Sequence, residues 1–400
     1  MQLGWIDFSK EDREKVLDVM NQLQEQGAID EIGIGLVRDA FSNLFFPGTS
    51  TVQTIAKYFL IVPYVLKEAC EGKYGTNLNK VLQRIDQEEK ECGSTLLQNC
   101  PGEDGVIGRR VLPKHWVARK PSNIYWNGIC TYGICTQDLT ISELLKASMV
   151  LQSHKRTASL GNRGDDAEGG DKDDLNAGND CSMQLFSVPD DYYGDWRTDL
   201  TVGLTRSEAT FLRGMIETNT AGSLLSYLLK NNIDIDRYDS FEAIYEDLRS
   251  EVPQDIEHQM RVACEFNRLV YAARVRYNYI LSAGQSSEAV DEWNHVVSNA
   301  LYMAAVDIDE VLDMLSISNF KLRRFLTTFK AAVLASDWNA ADKALIDREV
   351  EIKTKSRSKL LKRDDYSNDV WVGGRYLDYR FFSAKRIIND IYKGEEAKHV

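Results

Sequence analysis

QDIEHQMRVACEFNRLVYAARVRYNYIL, residues 254–281, sets Met260, Cys264, Asn267, Tyr271, Arg274 and Asn278 on neighbouring turns of one long helix. The same period returns on both sides. Downstream, helices are expected over 290–302, 308–315, 322–335, 338–362 and 384–392, with Gly373-Gly374 as a turn. Upstream, Thr205 and Glu208 cap a helix through Phe211, Leu212 and Met215, and Leu224, Leu225, Leu228 and Leu229 continue the texture. Nearer the N-terminus, Ser9 and Asp12 open a helix carrying Val16, Met20 and Leu23 to a stop at Gly27. Ile34, Val37, Phe41 and Leu44 make the next, which Phe46-Pro47-Gly48 ends. Ser50 and Gln53 then read as the cap of a helix with Val52, Ile55, Ala56 and Phe59 on its apolar face, kinked or ended by Pro63. A polar amphipathic helix is expected over 77–91, and another starts at Leu144 behind Thr140 and Glu143. Helical spacing outnumbers alternation throughout, so the expected fold is mainly α and multi-helical, in two lobes.

Two stretches break the pattern. Between 100 and 137 the prolines Pro101, Pro113 and Pro121, several glycines and the aromatics Trp116, Tyr125, Trp126 and Tyr132 predict loops and short helices, with room for a small hairpin. Residues 153–180 are rich in Gly, Asp, Asn and Ser and cannot build a core. The predicted division is a helical domain at 1–152, a flexible acidic linker at 153–185, an acidic helical domain at 186–320 and a basic helical region at 321–400, which can pack with 186–320. Four hundred residues exceed the roughly 250–300 that one core supports, in keeping with more than one domain.

Net charge is -13, with 43% hydrophobic residues and 7 prolines, which excludes a disordered chain, a collagen-like repeat or a proline-rich adaptor. The longest apolar run, Tyr58 to Leu66, is far short of the roughly 20 residues of a membrane span, so no membrane partner is expected. The first residues carry no basic, apolar leader, and the cytoplasm is the expected location. The charge is uneven: residues 186–320 carry -13 and residues 321–393 carry +7. Such a division means either internal neutralisation or a basic surface open to a polyanion.

Walker, dinucleotide-binding, zincin and nucleophile-elbow motifs are all missing from the sequence, and no cofactor is expected. Seven scattered cysteines lack the paired spacing of a zinc site; a set of Cys92, Cys100, His115 and Cys130 or Cys135 can be drawn, but plain thiols are the expectation. In the basic region, Lys353, Lys355, Arg357, Lys359, Arg375, Arg380, Lys385 and Arg386 alternate with Trp371, Tyr376, Tyr379 and Phe381, a mixture able to neutralise phosphates and stack on bases. Gly48, Thr49, Ser50 and Thr51, read as leading into a helix, form a second candidate, an anion site with Arg38 and Lys57 as charge partners. Against each stands a plainer role: a solvated face for the cations, a cap and turn for the hydroxyls. Asp30, Glu31, Asp39, Asp347, Glu349 and Glu351 are the carboxylates a metal-dependent nuclease would use, and Glu351-Ile352-Lys353 mimics the end of a restriction-type signature, though on helical surroundings.

Several motifs carry a resemblance. Leu3-Gly4-Trp5-Ile6-Asp7-Phe8-Ser9, Asp30-Glu31-Ile32-Gly33-Ile34-Gly35, Arg38-Asp39-Ala40-Phe41, and Phe46-Pro47-Gly48-Thr49-Ser50-Thr51-Val52-Gln53-Thr54 resemble an uncharacterised bacterial family with no assigned activity. Pro121-Ser122-Asn123-Ile124-Tyr125-Trp126, Arg348-Glu349 and Leu377-Asp378-Tyr379-Arg380 extend the resemblance over most of the chain, with Ile55 standing where a basic residue is expected in relatives. The resemblance implies association with mobile gene clusters that carry helicases and phage defence, and imports no mechanism. The functional expectation is a non-enzymatic, DNA-associated component of a bacterial defence or DNA-processing system, with DNA and protein partners in a complex. The alternatives are a metal-dependent phosphoryl-transfer enzyme and a helical protein-binding scaffold.

Overall fold

A computed structural model describes residues 30–161, 185–365 and 370–397. Its helices are α1 (Gly35–Phe45), α2 (Tyr58–Cys70), α3 (Leu78–Asn99), α4 (Pro121–Thr131), α5 (Ile141–Gly161), α6 (Arg206–Asn219) and α7 (Leu224–Lys230), then α8 (Phe241–Leu248), α9 (Gln254–Leu281) and α10 (Ser287–Ser298). They are followed by α11 (Ile308–Met314), α12 (Phe320–Leu334), α13 (Trp338–Lys353) and α14 (Phe381–Glu396). The fold is mainly helical, and among the described residues no strand forms. The helix expected around Val16 and most of the acidic linker lie outside the described residues.

The helix boundaries follow local chemistry. Asn77 accepts the Lys80 N–H to start α3, and Thr205 and Glu208 cap α6 reciprocally. Three expectations are corrected. In place of a hairpin within 100–137, α4 forms behind Pro121, and Cys135 pairs with the sequence-distant Phe186 in a lone antiparallel bridge. Pro63 neither ends nor interrupts α2, because the helix is buried almost throughout and that packing outweighs one lost backbone hydrogen bond. The helix after Gly48 begins at Tyr58 and not at Ser50, because the intervening backbone is held by side chains instead of by helical bonds.

The chain packs into two compact units, each discontinuous in sequence: Met1–Phe41 with Glu257–Leu377, and Ser42–Ile256 with Asp378–Val400. In the first, α12 and α13 form an antiparallel pair, and α11 packs on α12. Arg276 of α9 is buried there against Trp293 and Trp338, held by Asp342 at 2.5 and 2.9 Å. In the second, α2 packs on α3, α4 and α5, and α14 packs on α6. Its core joins Phe45, Phe46, Phe241 and Tyr379 through tilted and edge-on rings, and a further cluster joins Phe59, Tyr125 and Tyr132.

Two buried carboxylates of the second unit behave oppositely. Burial would raise Glu68, but Arg197 at 2.8 and 2.9 Å, Lys73 and Tyr74 outweigh it and hold the carboxyl down to about 2. Burial pushes the Glu89 carboxyl up to about 8, against the opposing pull of the Ser122 hydroxyl at 3.2 Å and the Ser122 N–H at 2.8 Å. A carboxyl raised on folding binds its proton more tightly in the native state, so its contribution falls as pH climbs from the ordinary carboxylate range towards 8. Glu89→Gln keeps an acceptor for Ser122 and removes the titration. Urea midpoints at pH 5 and pH 8 should therefore show the variant gaining on the wild type at the higher pH, whereas a pH-independent difference would contradict the assignment.

Candidate nucleic-acid interface

The first unit is organised around Glu349, whose side chain is 0% exposed. One of its oxygens accepts from the Tyr277 hydroxyl at 2.6 Å, the Lys353 ammonium at 3.1 Å and the Lys359 N–H at 3.1 Å. The other accepts from the Ser358 hydroxyl at 2.7 Å and the Leu360 N–H at 3.0 Å. This ring of donors ends α13. The expected helix to residue 362 stops at Lys353, because Thr354 takes a positive φ of 71° and the chain turns back to bring Ser358, Lys359 and Leu360 onto the carboxylate.

Glu31 closes the network by pairing with Lys353 and, at 2.7 Å, with Lys359. Burial and the neighbouring Lys359 ammonium pull the Lys353 amine down to about 8, which leaves it charged at neutral pH. Asp30 turns the same segment by accepting the Ile32 and Ile34 N–H groups. Arg348 donates to the carbonyls of Ile32 and Gly33 at 3.0 Å each. Gly33 has φ +66°, a conformation that favours glycine, and a Cβ there would stand 2.5 Å from Ile352 Cδ1 and 2.8 Å from Arg348 Nη2, so both side-chain ends would have to shift.

Beside this network, α12 and α13 enclose a groove of about 490 Å³. Its lining holds four cations, Lys321, Arg324, Lys343 and Arg348, against two carboxylates, Asp347 and Glu351. Glu351 gathers three of the cations, with Arg348 at 3.0 Å, Arg324 at 3.1 Å and Lys321 at 3.5 Å. One carboxylate therefore gathers three positive groups, of which Lys321 and Arg324 are exposed and Arg348 is buried on the Ile32 and Gly33 carbonyls. Lys343 and Asp347 are exposed.

The cations singled out in the sequence fare differently. Lys353 and Lys359 belong to the Glu31–Glu349 network. Arg375 pairs with Glu288 and lies 4.4 Å from the Trp371 ring. Arg380 donates to Asn43 at 2.7 Å and to the Thr49 carbonyl at 2.9 Å. Lys385 reaches the Tyr238 carbonyl at 2.7 Å and the Asp236 carboxylate at 3.4 Å, and Arg386 the carbonyls of Gln53 and Thr54 at 3.3 Å. Lys355 and Arg357 are exposed. Of the interleaved aromatics, Tyr379 and Phe381 are core residues and Tyr376 stacks on Tyr271 at 3.9 Å.

The Gly48–Thr51 turn is bound by its own neighbours. Thr49 donates through its hydroxyl to the Phe46 carbonyl, the Ser50 N–H donates to the Gln53 side chain, and the Gln53 amide donates back to the Gly48 carbonyl. Thr51 is exposed. Tyr125 accepts the Thr54 N–H at 2.7 Å, and Lys57 is buried against Glu208 at 2.5 Å. Gly48 lets the turn lie against Tyr132, whose ring would stand 2.6 Å from an added Cβ. Arg38, in the other unit, pairs with Asp39 at 2.9 Å. Of the carboxylates considered for metal, Asp30, Glu31, Asp39, Glu349 and Glu351 have the partners given above. Glu351 and Lys353 sit on a helix, and among the described residues no group of three His, Cys, Asp or Glu is placed to hold a metal ion.

Lys321, Arg324 and Lys343 escaped the sequence reading, although they lie inside its +7 segment. Their signal was Phe320-Lys321 and Arg323-Arg324 at the start of one helix, followed by Lys343 on the next. A model of a family of unknown function, DUF6361, matches residues 1–156. No curated protein and no solved structure matches the chain. The matched stretch contains Glu31 and Gly33, while Arg348, Lys353 and Lys359, which hold them, lie beyond it.

Truncating Glu349 would take the acceptor from the Ser358 hydroxyl and the Lys359 and Leu360 N–H groups, and leave Lys353 and Tyr277 with Glu31 alone. Glu349→Ala should cost about 3–5 kcal/mol in urea unfolding, and Asp347→Ala, at an exposed position, less than about 0.5 kcal/mol.

Proposed function

We propose that the protein is a non-enzymatic, DNA-associated helical component that meets the sugar–phosphate backbone through the α12–α13 groove. The observation that carries this reading is the excess of cations in that groove, ordered around Glu351. Guanidinium and ammonium groups gathered along one groove can replace the counterions of several phosphates, and the gain grows as salt falls. The C-terminal cations named from the sequence contribute less, since most are engaged by carboxylates or carbonyls. Membership of a bacterial defence or DNA-processing assembly, implied by the family resemblance, stays part of the proposal. No helix among the described residues is long and apolar enough to cross a membrane. A protein-binding scaffold is the second reading, favoured by Leu301 and Tyr302, which are 86% and 61% exposed on the turn Ala300–Ala305.

Fluorescence anisotropy of a labelled DNA oligonucleotide tests the proposal. Affinity should fall steeply between about 50 and 200 mM salt, and Lys343→Ala should weaken binding and reduce the salt slope by about 1. Lack of binding at the lower salt would remove the reading, and losses confined to Lys355→Ala and Arg357→Ala would move the surface to the turn after α13.

A further inference from the structure

Resting on the groove as the DNA surface, we infer that it selects unpaired bases, with Phe320 as the stacking platform for single-stranded DNA and Lys321, Arg324 and Lys343 holding the flanking phosphates. Phe320 is the first residue of α12, directly behind Asn319, whose side chain accepts the Leu322 N–H at 3.0 Å and fixes the start of the helix. Its ring is 73% exposed. The other large apolar side chains on this part of α12, Leu322, Phe325, Leu326 and Phe329, are buried, so the core does not use the Phe320 ring.

Three features distinguish this ring from an apolar side chain scattered on the surface. It sits on a capped helix terminus, next in sequence to the groove-lining Lys321. The Arg324 guanidinium, also in the groove, lies 5.9 Å from the ring centroid, which places the ring at the Lys321–Arg324 end. Glu351 pairs with Arg324 and Lys321 from the opposite helix, which draws both cations to the side of the ring. An aromatic face beside a row of cations is the combination that binds single strands without regard to sequence. In a duplex the faces of the bases are covered by their neighbours. The ring can then add nothing, and only the phosphate contacts remain.

The test measures anisotropy of the full chain with labelled oligo(dT) and with a duplex of equal length at low salt, for the wild type, Phe320→Ala and Phe320→Trp. Thermal melting of each variant checks that this exposed position leaves the fold intact. The wild type should prefer the single strand. Phe320→Ala should weaken single-strand binding roughly 5- to 150-fold and leave duplex binding unchanged, while Phe320→Trp restores it. Equal affinity for both forms, with no effect of Phe320→Ala, overturns the stacking assignment and leaves the groove reading standing. Binding of neither form overturns both.

Discussion

A carboxylate removed from water costs several kcal/mol unless donors replace the solvent it loses. Glu349 meets that demand with five of them, and much of the first unit is arranged by the need to supply them. Tyr277 is contributed from near the C-terminal end of α9. The chain after Lys353 abandons the helix so that Ser358, Lys359 and Leu360 can return to the same oxygens. Lys353 then shares its charge with Glu31, which fastens the segment around Gly33 to α13. Arg348, one residue before Glu349, binds that segment's carbonyls and lines the groove with Glu351. The cationic surface and the buried network therefore share one helix.

Net charge along a sequence does not say where charge is available. The +7 of residues 321–393 includes ammonium and guanidinium groups that hold the fold, such as Lys353 on Glu31 and Arg375 on Glu288. Arg380 and Arg386 tie down the backbone around Thr49 and Thr54. A cation spent on a neighbouring carboxylate or carbonyl offers little to an external phosphate. The groove differs because Lys321 and Arg324 share the one carboxylate of Glu351 and stay exposed beside Lys343, whereas Arg348, also on Glu351, is buried on the Ile32 and Gly33 carbonyls.

Two of the motifs that carried the family resemblance contain points of close approach. Gly33 admits Ile352 and Arg348, and Gly48 admits the Tyr132 ring. Gln53 replaces the helical bonds that Ser50 was expected to start. Such loops satisfy their own polar groups, which accounts for particular residue types without invoking a ligand.

Helices α6 and α9 were legible because the cap of the one and the period of the other involve residues within a few positions of one another: Thr205 with Glu208, and the turns between Met260 and Asn278. Local geometry settles such relations before the chain is compact. The end of α13, the fate of Lys353 and the groove between α12 and α13 were not legible, since each depends on partners far along the chain. Glu31 and Lys353 are separated by most of the sequence, and the balance of charge around Glu351 exists only once two helices lie side by side. Amino-acid order set the helical character, the caps and the basic sign of the C-terminal third. Packing decided which charges were consumed internally, because burial and pairing are properties of neighbours in space.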